Sequence, residues 1–318
     1  MIQTVSGSIS KHELGYCQCH EHLFIRKGKS YNINRALYMD DLDKSTRELL
    51  VYKESGGKSI VDAQPVGCGR MADYLLRASQ DSGVNIIAST GFHKLVFYEA
   101  DHWIYKMSQN QLTQLFLDEI QIGMFADGDS GNPLLNTGAK AGIIKTAAEG
   151  DGVDDKHKKL FSSAAEASLL TGAPVMCHME NRHDALSVVR FLTDLKVPAS
   201  GIILCHLDRA YYDPSFHMEM VQTGVFLEYD TIGRPKYHSD EIEIELLQKL
   251  IGSGYESQIL VGLDTTNQRL SSYGGTIGLD YILNAFIFKM LNAGISRQEI
   301  NKLTCENPAK ALSVKKDR

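Results

Sequence analysis

A (β/α)8 barrel of the TIM type, in the α/β class, is the fold this chain of 318 residues predicts. Three observations predict it. Short apolar runs recur along the whole length, each followed by a segment with apolar residues at helical spacing. Eight such strand and helix pairs follow one another, which is the count a closed parallel barrel needs. Several of the runs also end in a side chain that can bind a metal or carry charge, and the C-terminal strand ends of a barrel converge on one mouth. A doubly wound open sheet is the alternative, but no Gly-x-Gly-x-x-Gly follows the first strand.

Taken in order, residues 1–15 are expected as a lead-in hairpin before a first strand at Tyr16–Cys19. Leucines and charges at helical spacing over Asp41–Ser55 stop at Gly56-Gly57. A second strand is expected at Lys58–Asp62, then a helix over Arg70–Ser82, then a third strand at Val84–Thr90. A long aromatic loop and a helix over Gln109–Phe125 lead to the fourth strand, Ala141–Lys145. Helix Asp155–Leu170 precedes a fifth strand reaching His178, and helix Arg182–Lys196 precedes a sixth reaching His206. A helix at Pro214–Gln222, a seventh strand at Gly224–Asp230 and a helix at Ser239–Ile251 come next. The eighth strand delivers Asp264, and Gly278–Leu291 closes the ring of helices. One domain over 1–318 accounts for the whole pattern.

Composition narrows the functional class. Hydrophobic residues make up 43% and charged residues 23%, and the net charge is −6. No Lys/Arg stripe suits a phosphodiester backbone, so nucleic acid is not an expected partner. No run of about 18 apolar residues would span a membrane, and the first residues lack the pattern of a secretion signal. The expected location is therefore the cytoplasm. Cys19, Cys177 and Cys205, among six cysteines, directly precede histidines at strand ends and read as small apolar fillers, alternation turning each away from its neighbouring His.

His20 and His22, two residues apart, can present two imidazoles to one ion from an extended segment. Downstream, apolar runs end in Lys145, His178, His206 and Asp264. A non-catalytic protein with a structural zinc on Cys17, Cys19, His20 and His22 is the rival from another class. Four donors within six residues of one strand surround an ion poorly, and no second Cys-x-x-Cys is present.

The set His20-Glu21-His22, Lys145, His178, His206 and Asp264 resembles the phosphotriesterase family of the amidohydrolase superfamily, over about Gly15 to Asn307. Ser55–Ala63 and Gly274–Leu283 resemble its lactonase branch more than its organophosphate hydrolases. The resemblance implies two divalent metal ions, of the zinc type, held by His20, His22 and Asp264 on one side and His178 and His206 on the other. Lys145 is then expected as an N6-carboxylysine bridge, because an ammonium would repel two dications whereas a carbamate attracts them. Asp264 is the expected catalytic proton shuttle for attack by a metal-bridging hydroxide. Lys236, Arg269 and Tyr273, after the seventh and eighth strands, suit a phosphate, which points to a phosphorylated furanose 1,4-lactone as the small-molecule substrate. Arg209 and Tyr98 are further candidates for orienting it. An organophosphate triesterase is the rival activity, and a homodimer is the implied assembly. His93, His102, His183, His217 and His238 lack partners at ligand spacing and are expected on the surface or in loops.

Overall fold

Short apolar runs bounded by turn residues become strands here because each is buried on both faces, as parallel strands flanked by helices must be. In the computed structural model, which describes residues 1–129, 131–134, 136–210 and 212–314, eight of them form one parallel sheet in sequential order. They are β1 (Cys17–Glu21), β2 (Ser59–Asp62), β3 (Asn85–Gly91), β4 (Ala141–Ala147), β5 (Val175–His178), β6 (Ile202–Leu204), β7 (Phe226–Tyr229) and β8 (Ile259–Val261). The lead-in forms the expected hairpin, Ile2–Thr4 against Gly7–Ile9.

The helices between them are α1 (Leu42–Glu54), α2 (Ala72–Ser82), α3 (Gln109–Gln121), α4 (Asp155–Thr171), α5 (Arg182–Asp194), α6 (Pro214–Gln222) and α7 (Asp240–Gly252). Their ends follow local chemistry. Asp41 and Asp154 accept hydrogen bonds from the first-turn amides of α1 and α4. Gly83 and Gly172 end α2 and α4 in the left-handed region. The closing helix departs from the single run expected over Gly278–Leu291: a π-helical segment, Ile282–Phe286, leads into α8 (Ile287–Asn292). Short helices from Arg297 to Ala311 follow, and Ala309, Ala311 and Leu312 pack beneath the barrel with Ile2 and Leu14.

Inside the barrel, Cys17, Cys19, Val61, Ile87, Ile143, Met176, Ile203, Cys205, Phe226 and Leu260 make one apolar core. This filled interior leaves the C-terminal mouth as the place for chemistry.

Between β8 and β1 the sheet is closed largely by side chains. A register shift between Gln18 and Glu21 marks a bulge in β1. Across the gap Asp264 N donates to His20 O at 2.9 Å, Leu263 N donates to Glu21 Oε1 at 2.9 Å, and His22 N donates to Thr265 Oγ1 at 3.0 Å. Gly262 permits this approach, since a Cβ there would stand 2.9 Å from His20 N.

The bulge corrects the expectation about the cysteines. It turns Cys19 and His20 both toward the barrel axis, and His206, with φ of 63°, leaves the β region so that Cys205 and His206 also both face inward. Simple alternation survives only at Cys177, which joins the outer core while His178 faces the mouth.

Candidate metal centre

Four strand ends bring four imidazoles and one carboxylate to the floor of a cavity of ≈ 670 Å³. His20 Nε2 and His22 Nε2 lie 4.0 and 3.6 Å from Asp264 Oδ1. On the other side His178 Nδ1 stands 2.7 Å from His206 Nε2. Lys145 is fully buried between the two pairs, its Nζ 3.4 Å from His20 Nε2 and 3.7 Å from Cys205 Sγ. Gly91 lets β3 run against the lysine's backbone, where a Cβ would collide with Lys145 O.

Buried carboxylates aim the rings. His206 Nδ1 is held by Asp230 Oδ1 at 2.6 Å and His20 Nδ1 by Glu228 Oε2 at 2.8 Å, which leaves each Nε2 turned to the centre. His178 Nε2 meets Glu180 Oε1 at 2.9 Å, and this hydrogen bond holds the Glu180 carboxyl down at about 2. Burial pushes His22 down to about 3 and His178 to about 4, and it carries His206 well below the ordinary histidine range, so these rings present lone pairs rather than charge. Burial alone would raise Asp264, but Arg234 above all holds its carboxyl well below the usual range. Arg234 Nη1 reaches Asp264 Oδ2 at 2.6 Å and Arg209 Nη2 reaches it at 3.2 Å.

The donors fit divalent metal. His20, His22 and Asp264 place their ligand atoms within 4.8 Å of one another, as do His206, Asp230 and Asp264, and neutral imidazole with carboxylate is a donor set suited to zinc. Neither Cys17 nor Cys19 joins such a group: both lie in the barrel's apolar interior, which removes the cysteine-bound structural ion.

The substrate-binding candidates separate. Lys236 and Arg209 line the cavity. Lys236 is exposed and makes no ion pair among the described residues, its Nζ resting 5.5 Å over the Tyr237 ring. Arg269 also lines the wall, but its guanidinium is occupied by Ile232 O at 2.6 Å and Gly233 O at 3.0 Å. It therefore braces the loop after β7 instead of facing ligand. Tyr273 turns away to Ser45 Oγ and Asp41 O, each at 2.9 Å. Tyr98 is buried, its hydroxyl accepting from His93 N at 2.9 Å.

That last contact supports a residue the sequence reading left among the surface or loop histidines without a part in the site. His93 is half-buried in the cavity wall, its ring stacked 6.4 Å from His22 and tilted 5.5 Å from His178. Lys94 N donates to its Nδ1 at 2.7 Å, so the neutral ring carries its proton on Nε2. Its position directly after the β3 end, in Thr90-Gly91-Phe92-His93, was the available signal. His102 and His238 do lie in loops, though buried, and His183 is exposed, whereas His217 departs from the expectation, fully buried in α6.

The model of the phosphotriesterase family matches residues 1–312 of the chain. An N-acetyltaurine hydrolase from Xenopus tropicalis is 30% identical over 99% of this chain and 98% of its own. A phospho-furanose lactonase from Mycoplasmopsis synoviae is 29% identical over 99% of this chain and 92% of its own. The solved structure of an amidohydrolase from Mycoplasma synoviae superposes with a TM-score of 0.94 at 29% identity, covering 100% of this chain and 93% of that one.

Proposed function

The chain belongs to the phosphotriesterase family, a family of binuclear metal hydrolases, and from that premise we propose that it opens a phosphorylated furanose lactone to the hydroxy acid. One observation carries the reading: an unpaired cation, Lys236, stands on the rim of the cavity whose floor is the histidine and aspartate cluster. That arrangement suits a substrate with an acyl carbon at one end and a phosphate at the other. The phospho-furanose lactonase relative acts on such a molecule by its name.

His20, His22 and Asp264 would hold one zinc-type ion and His178 and His206 the other, with Lys145 as a carbamate between them. Two such ions, when bound, lower the pKa of a shared water toward neutrality and polarise the carbonyl. The chain's own residues do the rest. Asp264, kept ionised by Arg234, accepts the proton released as water attacks the lactone carbon and returns it to the ring oxygen as the C–O bond breaks. His93, with its Nε2 proton, orients the carbonyl or ring oxygen from the cavity wall. Lys236 binds the phosphate.

The N-acetyltaurine hydrolase relative favours a second reading, amide hydrolysis on an anionic N-acyl substrate, for which the same rim cation would serve a sulfonate. Assays of metal-loaded enzyme on furanose lactones with and without phosphate, on N-acetyltaurine and on a phosphotriester separate the readings. The phosphorylated lactone is expected to have the highest kcat/KM; faster turnover of N-acetyltaurine would transfer the assignment. Lys236→Ala should cost about ten- to a hundredfold in kcat/KM on the phosphorylated lactone, the worth of a charged hydrogen bond, and leave the unphosphorylated one unchanged. Arg269→Ala should impair both alike, because it releases the Ile232–Gly233 backbone.

A further inference from the structure

Next to Lys236, the loop after β7 places an aromatic ring to which the proposed reaction gives no part. Tyr237 is half-buried and lines the cavity. Arg209 Cζ lies 4.8 Å from its ring centre, Lys236 Nζ 5.5 Å and Arg234 Cζ 5.7 Å. Arg209 comes from another segment, the turn Leu207–Ala210 after β6, so the ring joins two loops at the mouth. Turns fold its own loop back on itself: Arg234 N donates to Thr231 O and Tyr237 N to Arg234 O, each at 3.0 Å. The Tyr237 hydroxyl makes no hydrogen bond among the described residues, so the ring carries these contacts.

Like charges gathered on one wall repel, and here little opposes the repulsion. Arg209 and Arg234 both donate to Asp264 Oδ2, while Lys236 pairs with no carboxylate among the described residues. Three cations against one carboxylate leave a surplus of two positive charges on this wall. A second carboxylate in place of the ring would hold the cations but cancel the charge that draws an anion. An aromatic face attracts cations through its quadrupole and carries no net charge. It holds them and leaves the surplus in place.

We propose that Tyr237 is a positioning residue that selects for anionic substrates, its ring keeping Arg209, Arg234 and Lys236 together as one array. The surplus matches a small dianion, of which a phosphate ester is the case the lactone reading supplies. A guanidinium has five N–H donors, so the bonds to Asp264 leave others for a ligand. Both arginines line the cavity and remain partly exposed, at 19% and 18% of their side chains. Only the identity of the substrate rests on the lactone reading; the array would take inorganic phosphate as well.

The test measures the Kd of inorganic phosphate by calorimetry on the metal-loaded protein, together with kcat and KM on lactones with and without phosphate. Tyr237→Leu should raise the phosphate Kd about tenfold, the scale of a few weakened cation and ring contacts, and Tyr237→Phe should restore tight binding. KM on the phosphorylated lactone should follow the phosphate Kd in Tyr237→Leu while kcat falls far less, and KM on the unphosphorylated lactone should not follow it. If Tyr237→Leu does not fold, Tyr237→Met is read the same way. An unchanged Kd in the leucine variant overturns the proposal, and so does phosphate held by the mouth metals alone, which would bind all the variants equally. Equal weakening in Tyr237→Phe and Tyr237→Leu also overturns it, by moving the contact to the hydroxyl, as does a matched loss of kcat on both lactones, the mark of a merely structural role. Failure to turn over either lactone would end the lactone reading alone, because the phosphate series needs no turnover.

Discussion

Histidines at the barrel mouth and histidines in the surrounding loops and helices are both buried, but their nitrogens are spent differently. His157 gives Nδ1 to Asp154 at 2.6 Å and Nε2 to Glu149 at 3.0 Å. His217 is held between the Tyr229 hydroxyl at 2.9 Å and Ala210 O at 3.1 Å, and His102 between Ile104 N at 3.2 Å and Gly128 O at 3.1 Å. Each of these rings is a cross-brace with nothing left over. At the mouth, His20 and His206 anchor only Nδ1 and point Nε2 at one another's neighbours. Burial therefore does not distinguish a ligand from a brace; the unspent nitrogen does.

The largest test of that difference is His206→Asn. It removes half of one candidate metal pair, and loss of several kcal/mol of charge stabilisation corresponds to a fall in kcat/KM on the order of a thousandfold or more. Chelation of the unsubstituted enzyme should match it and be reversed by added metal, which the variant should not be. Asp230→Asn leaves the ligands in place but loosens the ring they depend on, so metal affinity by competition with a chromophoric chelator should weaken about 10- to 100-fold. Equal affinity would show that Asp230 does not aim His206.

Smaller still is His93→Phe, which keeps the stacking on His22 but deletes the Nε2 donor. A fall of about tenfold in kcat with metal content unchanged is expected, the worth of one hydrogen bond. Loss of metal in that variant would move His93 into the ligand group. His157→Gln should leave kcat/KM alone and act on stability only. Burial lowers the pKa of His157, but Glu149 and Asp154 outweigh it and raise the pKa above the ordinary value. Its stabilising effect is therefore fully present below about pH 6.5 and is lost as pH rises through the raised folded value. The variant's Tm deficit should be larger at about pH 6 than at about pH 9. A deficit independent of pH would make His157 a packing residue.

How far the chain could be read in advance follows the same division. The expected strand ends agree with the observed ones within a few residues, because apolar runs between glycines and capping residues are local signals. Lys145, His178, His206 and Asp264 were legible as a converging set because a strand end in a parallel barrel has only one place to go. Loop residues have no such register. Arg269 and Tyr273 looked like Lys236 in sequence, and only packing turned the first onto backbone carbonyls and the second onto Ser45.

By itself, then, the order of residues determined the barrel, the direction of its strands and which side chains stand at their ends, since those depend on periodicities of two and 3.6 along a continuous chain. Tertiary structure alone decided the bulge that turns Cys19 and His20 to one side, the use of Asp230 and Glu228 as anchors for the imidazoles, and the meeting of Asp208 with Glu243. Those outcomes rest on contacts between segments distant in sequence, where a residue's role is set by which neighbour reaches its polar atoms first.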